Sequence, residues 1–346
     1  AIKNAPNAEL AAVASRDPNN AVAFINDCQS QVPHENVPEA MGSHEALIDR
    51  QDIDAIYLPL PTGVRKEWVL RAAEAGKHVL VEKPCGVHAD DVTEMLQACE
   101  ANQVQFMDGV MFMHSQRLAA LRETIDDPES IGQIRRITSH HSFNAPEDFL
   151  ANNIRLNSAL EPQGCLGDLG WYNIRFTLWA LYRKMPRRVN GWILTDAHRE
   201  DSPEPVPMEF AGDLHFDDGI SAHFYCSFIT HNQQWANVGG STGFTVVPDF
   251  VLPFYRDHLD YRVTNAEFVV DGCQFNMEER ARVVSTPEYA NNAPGSQEAN
   301  LFQNFSSIAV SGELQPDWGQ IALETQQVMD AVLLSARHEG QAVDLG

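Results

Sequence analysis

Lysine is scarce in this chain: Lys3, Lys66, Lys77, Lys83 and Lys184 are the only five among 346 residues. One of them, Lys83, stands in Glu82-Lys83-Pro84, directly after the apolar run His78-Val79-Leu80-Val81. That run reads as a buried parallel strand, and ligands of open parallel sheets bind outside the carboxyl ends of the strands. A lysine delivered there is either a ligand-facing ammonium or an acid/base whose pKa burial can lower. Pro84 removes a backbone donor and stops the strand, and an X-Pro bond at such a turn is a candidate for the cis form.

A second group of reactive side chains lies in Gly167-Asp168-Leu169-Gly170-Trp171-Tyr172, ahead of a helix expected to be amphipathic. Asp168 and Tyr172 are four apart and project from one helical face, and a carboxylate near a helix start is favoured by the dipole. A carboxylate, a phenol and an ammonium together form a proton-handling set in which the lysine draws the phenol down from its usual value of about 10. Taken alone, the segment is read as readily with Asp168 as an N-cap and Tyr172 as a core aromatic.

The elements that must position these residues follow from the pattern. The first third alternates strands (9–15, 54–60, 78–82, 104–111) with helices (19–27, 43–49 with Ser43 as N-cap, 64–75 stopped by Gly76, 89–101), the signature of βαβ units and a parallel sheet. Beyond residue 113 the texture changes. A long strand over 134–143, an aromatic-rich helix over 167–181 and many short alternating runs over 189–270 imply a largely antiparallel sheet, with a tight turn at Asp217-Asp218-Gly219. A polar loop over 287–296 and helices over 297–310 and 318–338 complete the chain. The division expected is 1–112 as a nucleotide-binding domain and 113–346 as a substrate and oligomerisation domain.

Composition excludes several classes. A net charge of −24 speaks against a nucleic-acid partner and an anionic membrane surface, both of which need clustered cations. It suits a strongly hydrated acidic surface, of the kind a saline habitat favours, or simply a surface poor in lysine. Six cysteines without a C-x-x-C pair suggest neither a zinc site nor a disulfide framework, and reduced thiols fit a cytosolic setting. His140, His141 and His231 lack partners at metal-ligand spacing and read as ordinary strand or loop residues, so no metal is expected. No Gly-x-Gly-x-x-Gly turn precedes the first strand. In a 3-2-1-4-5-6 sheet the strand ahead of that turn is central, and without it two inner edges stand unpaired. The expectation is that about 20 residues holding that strand and turn precede Ala1.

The runs Asp54-Ala55-Ile56-Tyr57-Leu58-Pro59-Leu60-Pro61-Thr62 and Ala75-Gly76-Lys77-His78-Val79-Leu80-Val81-Glu82-Lys83-Pro84 resemble the Gfo/Idh/MocA oxidoreductases. So do Gly164 to Tyr172 and Thr325-Gln326-Gln327-Val328-Met329-Asp330-Ala331. The resemblance implies a Rossmann domain followed by a domain with an open, mostly antiparallel sheet. It also implies hydride transfer between a nicotinamide cofactor and a hydroxyl-bearing carbon of a sugar, polyol or dihydrodiol, and a homodimer formed through the second sheet. Carried onto this sequence, Lys83, Asp168 and Tyr172 are catalytic, with Tyr172 as acid/base. Pro59, Leu60, Thr62, Glu82, Lys83 and Pro84 contact the cofactor, and His114 and Arg155 contact substrate; for Arg155 an interdomain salt bridge is an equal reading. Many members have histidine at the position of Tyr172, and relatives often have histidine at that of Arg65. Ser15-Arg16 after the first strand suits a 2′-phosphate and favours NADP over NAD, the alternative being a solvated Arg16 with Asp17 on the ribose. The rival function is a non-catalytic nucleotide- or sugar-sensing regulator on the same fold.

Overall fold

A computed structural model of the chain describes residues 1–290 and 293–345. Residues 291 and 292, inside the polar loop expected over 287–296, and residue 346 lie outside that range.

The first part carries β1 (Ala12–Ala14), α1 (Pro18–Gln31), β2 (Glu39–Met41), α2 (His44–Ile48), β3 (Ala55–Leu58), α3 (Thr62–Glu74), β4 (His78–Val81), α4 (Ala89–Ala101) and β5 (Phe106–Asp108). Local chemistry sets these boundaries. Asp17 caps α1 by accepting from Asn19 N, with Pro18 at the first helical position, and Ser43 caps α2 by accepting from Ala46 N. Gly76, after α3, has φ +74°, a left-handed value that suits glycine. The strands are shorter than the sequence suggests because only their paired cores meet a neighbour.

All pairings in this part are parallel, but they form two sheets, β1–β2 and β3–β4–β5. Among the described residues no strand joins β1 to β3, so the two sheets stand apart. The three-stranded sheet is covered on both faces. Val79, Val81, Ile56 and Phe106 belong to the cluster that includes Val69 and Ala72 of α3 and Val92 and Met95 of α4. Leu80 and Met107 point the other way, onto Leu301, Phe305 and Ile308 of a helix near the end of the chain. Strands buried on both sides explain the unbroken apolar run before Lys83.

The second part runs through α5 (Arg117–Asp126), β6 (Ile134–Asn144), α6 (Glu147–Asn152), α7 (Trp171–Ala180), β7 (Arg188–Ala197), β8 (Val206–His215), β9 (Ser221–Ser227), β10 (Ile229–Gly240), β11 (Phe244–Val247), β12 (His258–Asp271), β13 (Gln274–Pro287), α8 (Gln297–Ser311), α9 (Pro316–Arg337) and β14 (Val343–Asp344). Nine strands form one sheet in the order β13-β12-β11-β10-β6-β9-β8-β7-β14. Only β6–β9 is parallel. The turn expected at 217–219 joins β8 to β9, with Gly219 at φ +71° and Phe216 N donating to Ile220 O at 3.0 Å.

Two expectations change here. The runs over 189–270 are mostly long strands, β12 alone spanning 14 residues. And α7 is not amphipathic: from Trp171 to Leu178 every residue is buried, because the helix is enclosed by the nine-stranded sheet, α9 and β5. No helix among the described residues is long and apolar enough to cross a membrane.

Candidate active site

Lys83 leaves the carboxyl end of β4 and crosses to the second part of the chain. Its Nζ donates to Asp168 Oδ1 at 2.7 Å and to the Asp168 backbone carbonyl. It also lies 4.8 Å from the centre of the Tyr172 ring. The Lys83-Pro84 bond is cis. Asp168 does not start a helix; it sits inside a π-helical turn, Leu166–Gly170, that runs into α7. Such turns widen the spacing of side chains and are frequent at functional sites. The Asp168 carboxylate is held from its other side by Arg155, whose Nε lies 2.9 Å from Oδ2. Burial pushes this carboxyl up, but Lys83 and Arg155 outweigh it and hold the pKa at about 2.

Tyr172 differs from expectation. Lys83 lies over its ring rather than on its hydroxyl, which donates to Met111 Sδ at 3.6 Å. Burial, with Glu82 and Asp168 nearby, raises the phenol well above its ordinary value instead of lowering it. Tyr172 is therefore a neutral phenol, with an ammonium against its π face.

These groups line one cavity of about 540 Å³, together with Pro59, Leu60, Glu82 and Pro84 from the ends of β3 and β4. The structure brings most of the expected cofactor and catalytic residues to one place. Thr62 is an exception: its N–H donates to Glu161 Oε1 at 3.0 Å and its hydroxyl to Glu161 Oε2 at 2.6 Å, so both its donors are already used. His114, expected on the substrate, is another. It is not part of the cavity wall; it stacks on Trp318 with ring centres 4.7 Å apart and meets Asn304 Nδ2 at 3.3 Å. Burial, with Arg175 adding to it, lowers its pKa to about 3. Ser15 and Arg16 follow β1 and do not line the cavity. Arg16 is exposed and makes no hydrogen bond or ion pair among the described residues, whereas Asp17 is engaged as the α1 cap.

Several wall residues were given no site role from the sequence. Arg65 is buried, with Nε donating to Leu60 O at 3.0 Å and Nη1 to the Pro84 carbonyl, which ties together the loops after β3 and β4. Tyr57 donates to Glu82 Oε1 at 2.5 Å. Glu161 ends a segment, residues 153–161, that docks on the start of α3; Gly63 N donates to Leu160 O at 2.9 Å. His141, read as an ordinary strand residue, lies on β6 in the cavity wall with its ring 5.5 Å from that of Tyr172. Burial, reinforced by the Lys83 ammonium, lowers its pKa to about 4. The alternation of β6 would have placed it on the inner face, but only the tertiary structure sets it beside Tyr172.

A parallel-sheet part supplying a strand-end lysine, facing a sheet part supplying a carboxylate and a tyrosine, defines a two-domain dinucleotide-type oxidoreductase. Comparison with known proteins agrees. Residues 1–110 match the oxidoreductase family with an NAD-binding Rossmann fold, and residues 118–246 match the GFO/IDH/MocA C-terminal domain. The chain is 31% identical over 287 residues to a D-xylose 1-dehydrogenase (NADP(+)) of Haloferax volcanii, covering 81% of this chain and 82% of that one. It is 26% identical to the mouse trans-1,2-dihydrobenzene-1,2-diol dehydrogenase, over 71% of this chain and 68% of that one. Among solved structures it resembles a 3-ketoreductase of Actinomadura kijaniata in complex with NADP and TDP-benzene, at a TM-score of 0.80 and 23% identity over 96% of this chain and 91% of that one. The chain belongs to the Gfo/Idh/MocA family and is an NAD(P)-dependent oxidoreductase.

Proposed function

We propose that the protein is an NADP-dependent dehydrogenase or reductase acting on a hydroxyl-bearing carbon of a sugar, polyol or dihydrodiol. The observation that carries this is the meeting of Lys83 from the nucleotide-binding part with Asp168 and Tyr172 from the sheet part in one cavity. The relatives named above as xylose and dihydrodiol dehydrogenases support the substrate class.

The residues at the ends of β3 and β4 suit the nicotinamide end of such a cofactor: Pro59, Leu60 and Pro84 offer apolar surface, and Glu82 and Lys83 offer polar groups. When bound, the nicotinamide supplies or accepts the hydride. NADP is favoured because Arg16 is exposed and unengaged at the carboxyl end of β1, while the acidic alternative, Asp17, is committed to its cap. Tyr172 exchanges a proton with the substrate oxygen. Burial holds it in the protonated form, so in the reducing direction it has a proton to give to the substrate oxygen; in the oxidising direction the Lys83 ammonium stabilises the negative charge that appears on the phenol or the substrate oxygen. Asp168 holds the Lys83 ammonium in place through its 2.7 Å contact. The Arg155 guanidinium spends its Nε on Asp168, and its terminal nitrogens serve substrate oxygens. Two copies pair through the nine-stranded sheet.

The test is reduction of NADP by the purified protein with a panel of aldoses, polyols and dihydrodiols, repeated with Lys83→Ala. The variant is expected to fold and bind NADPH but to lose turnover by about a hundredfold or more. Full turnover in Lys83→Ala rules the reading out.

A further inference from the structure

Two buried charges lie just behind the site. Asp108 ends β5 and is the register partner of Val81, two residues before Lys83. Arg175 lies on α7, three residues after Tyr172. Both side chains are wholly buried. Arg175 Nη1 donates to Asp108 Oδ1 at 3.2 Å and Nη2 to Oδ2 at 2.7 Å. Its Nε donates to Thr325 Oγ1 on α9 at 2.8 Å, and that hydroxyl donates to Ile321 O at 2.7 Å. The guanidinium is thus fixed at three nitrogens, by groups from two other elements.

A buried ion pair is a poor source of stability, because desolvating two charges offsets their attraction and apolar residues of similar volume fill the space as well. A two-point fork gives something that apolar packing does not: a set distance and a set rotation between the elements that carry it. Here one of those elements is the sheet that delivers Lys83, and the other is the helix that follows Asp168 and carries Tyr172.

We propose that Arg175 and Asp108 are positioning residues that set α7 against the carboxyl ends of β4 and β5, so that Lys83 Nζ meets Asp168 and the Tyr172 ring. The functional meaning of this rests on the reading of those three as the reacting groups.

The double variant Arg175→Met with Asp108→Leu removes both charges at similar volume. It is expected to unfold at or above the parent temperature and to bind NADPH with the parent's affinity. Its kcat should fall by about a hundredfold with KM for the cofactor unchanged, as misplacement of reacting groups by about 1 Å predicts. The Asp168 carboxyl, followed by NMR titration, should move up as Lys83 leaves it. Arg175→Lys, which keeps the charge and loses the fork, should fall between parent and double variant in kcat. A folded double variant with parental kcat and an unmoved Asp168 titration overturns the proposal. If the double variant does not fold, Arg175→Lys and Asp108→Asn carry the same two readouts. If the parent itself shows no nicotinamide-dependent turnover, the functional reading fails, and the Asp168 titration still decides whether the pair positions Lys83.

Discussion

At the scale of single residues, the site is a balance of burial against charge. Asp168 stays ionised because two cations flank it, and Lys83 stays aimed because a carboxylate and a carbonyl hold its ammonium. Tyr172 and His141 have no such compensation, and burial keeps both neutral. Lys83 and Asp168 were legible from the sequence because each follows from a local rule, a strand end and a short helical spacing. The state of Tyr172 was not, since it depends on Lys83 meeting the ring rather than the hydroxyl. The histidines give a pH prediction. His141 and His114 have folded pKa values of about 4 and about 3, below the ordinary value near 6.5. The unfolded chain therefore binds more protons as pH falls below about 6.5, so stability is full above that and declines on acidification until the folded values are passed. Each histidine contributes a slope of up to about 1.4 kcal/mol per pH unit. Urea unfolding between about pH 7.5 and pH 5 should show this fall, and His114→Gln should flatten it; an equal slope in the variant contradicts the assignment to His114.

At the scale of elements, the site depends on contacts between distant parts of the chain. The segment ending at Glu161 reaches the start of α3 across 99 residues of sequence, which no local pattern discloses. The C-terminal run Thr325 to Ala331 was legible as a family feature but not in its purpose: Thr325 holds Arg175, and Asp330 Oδ2 accepts from Ala89 N at 2.7 Å at the start of α4. The helix over 167–181 that carries Tyr172 was visible as a helix, while the π turn at its start, Leu166–Gly170, was not, because no local pattern marks it. Gly63 offers the sharpest test of the docked segment. A Cβ there would collide with the Ala159 carbonyl, a backbone atom that has to move with its segment. Gly63→Ala is therefore expected to release residues 159–161 from α3, exposing the Gly63 and Thr62 amides to faster hydrogen exchange and lowering kcat/KM. Parental exchange and activity in that variant would show that the segment adapts without cost.

At the scale of the whole molecule, the order of elements followed from hydrophobic period: alternating strands and helices first, then a broad antiparallel sheet. What the period did not show is that the parallel strands, among the described residues, stand as two separate sheets. The acidic surface is a property of the entire chain. With 48 Asp and Glu against 24 Lys and Arg, self-repulsion opposes the compact state, and salt screens it. The thermal midpoint is expected to rise as KCl increases from about 0.1 M to about 1 M, over which the screening length shrinks from about 10 to about 3 Å. A midpoint that falls or stays flat means that paired surface charges already cancel the repulsion.

The central claim is that hydride passes directly between nicotinamide and a carbon of a sugar-like substrate at the meeting point of Lys83, Asp168 and Tyr172. NADPH deuterated at the transferring position of C4, incubated with the protein and the carbonyl form of whichever panel compound is turned over, tests it most directly by mass spectrometry of the product. The account predicts one deuterium on the newly reduced carbon, at a rate that collapses in Lys83→Ala. Product that lacks the label, or that forms equally well in the variant, would contradict it.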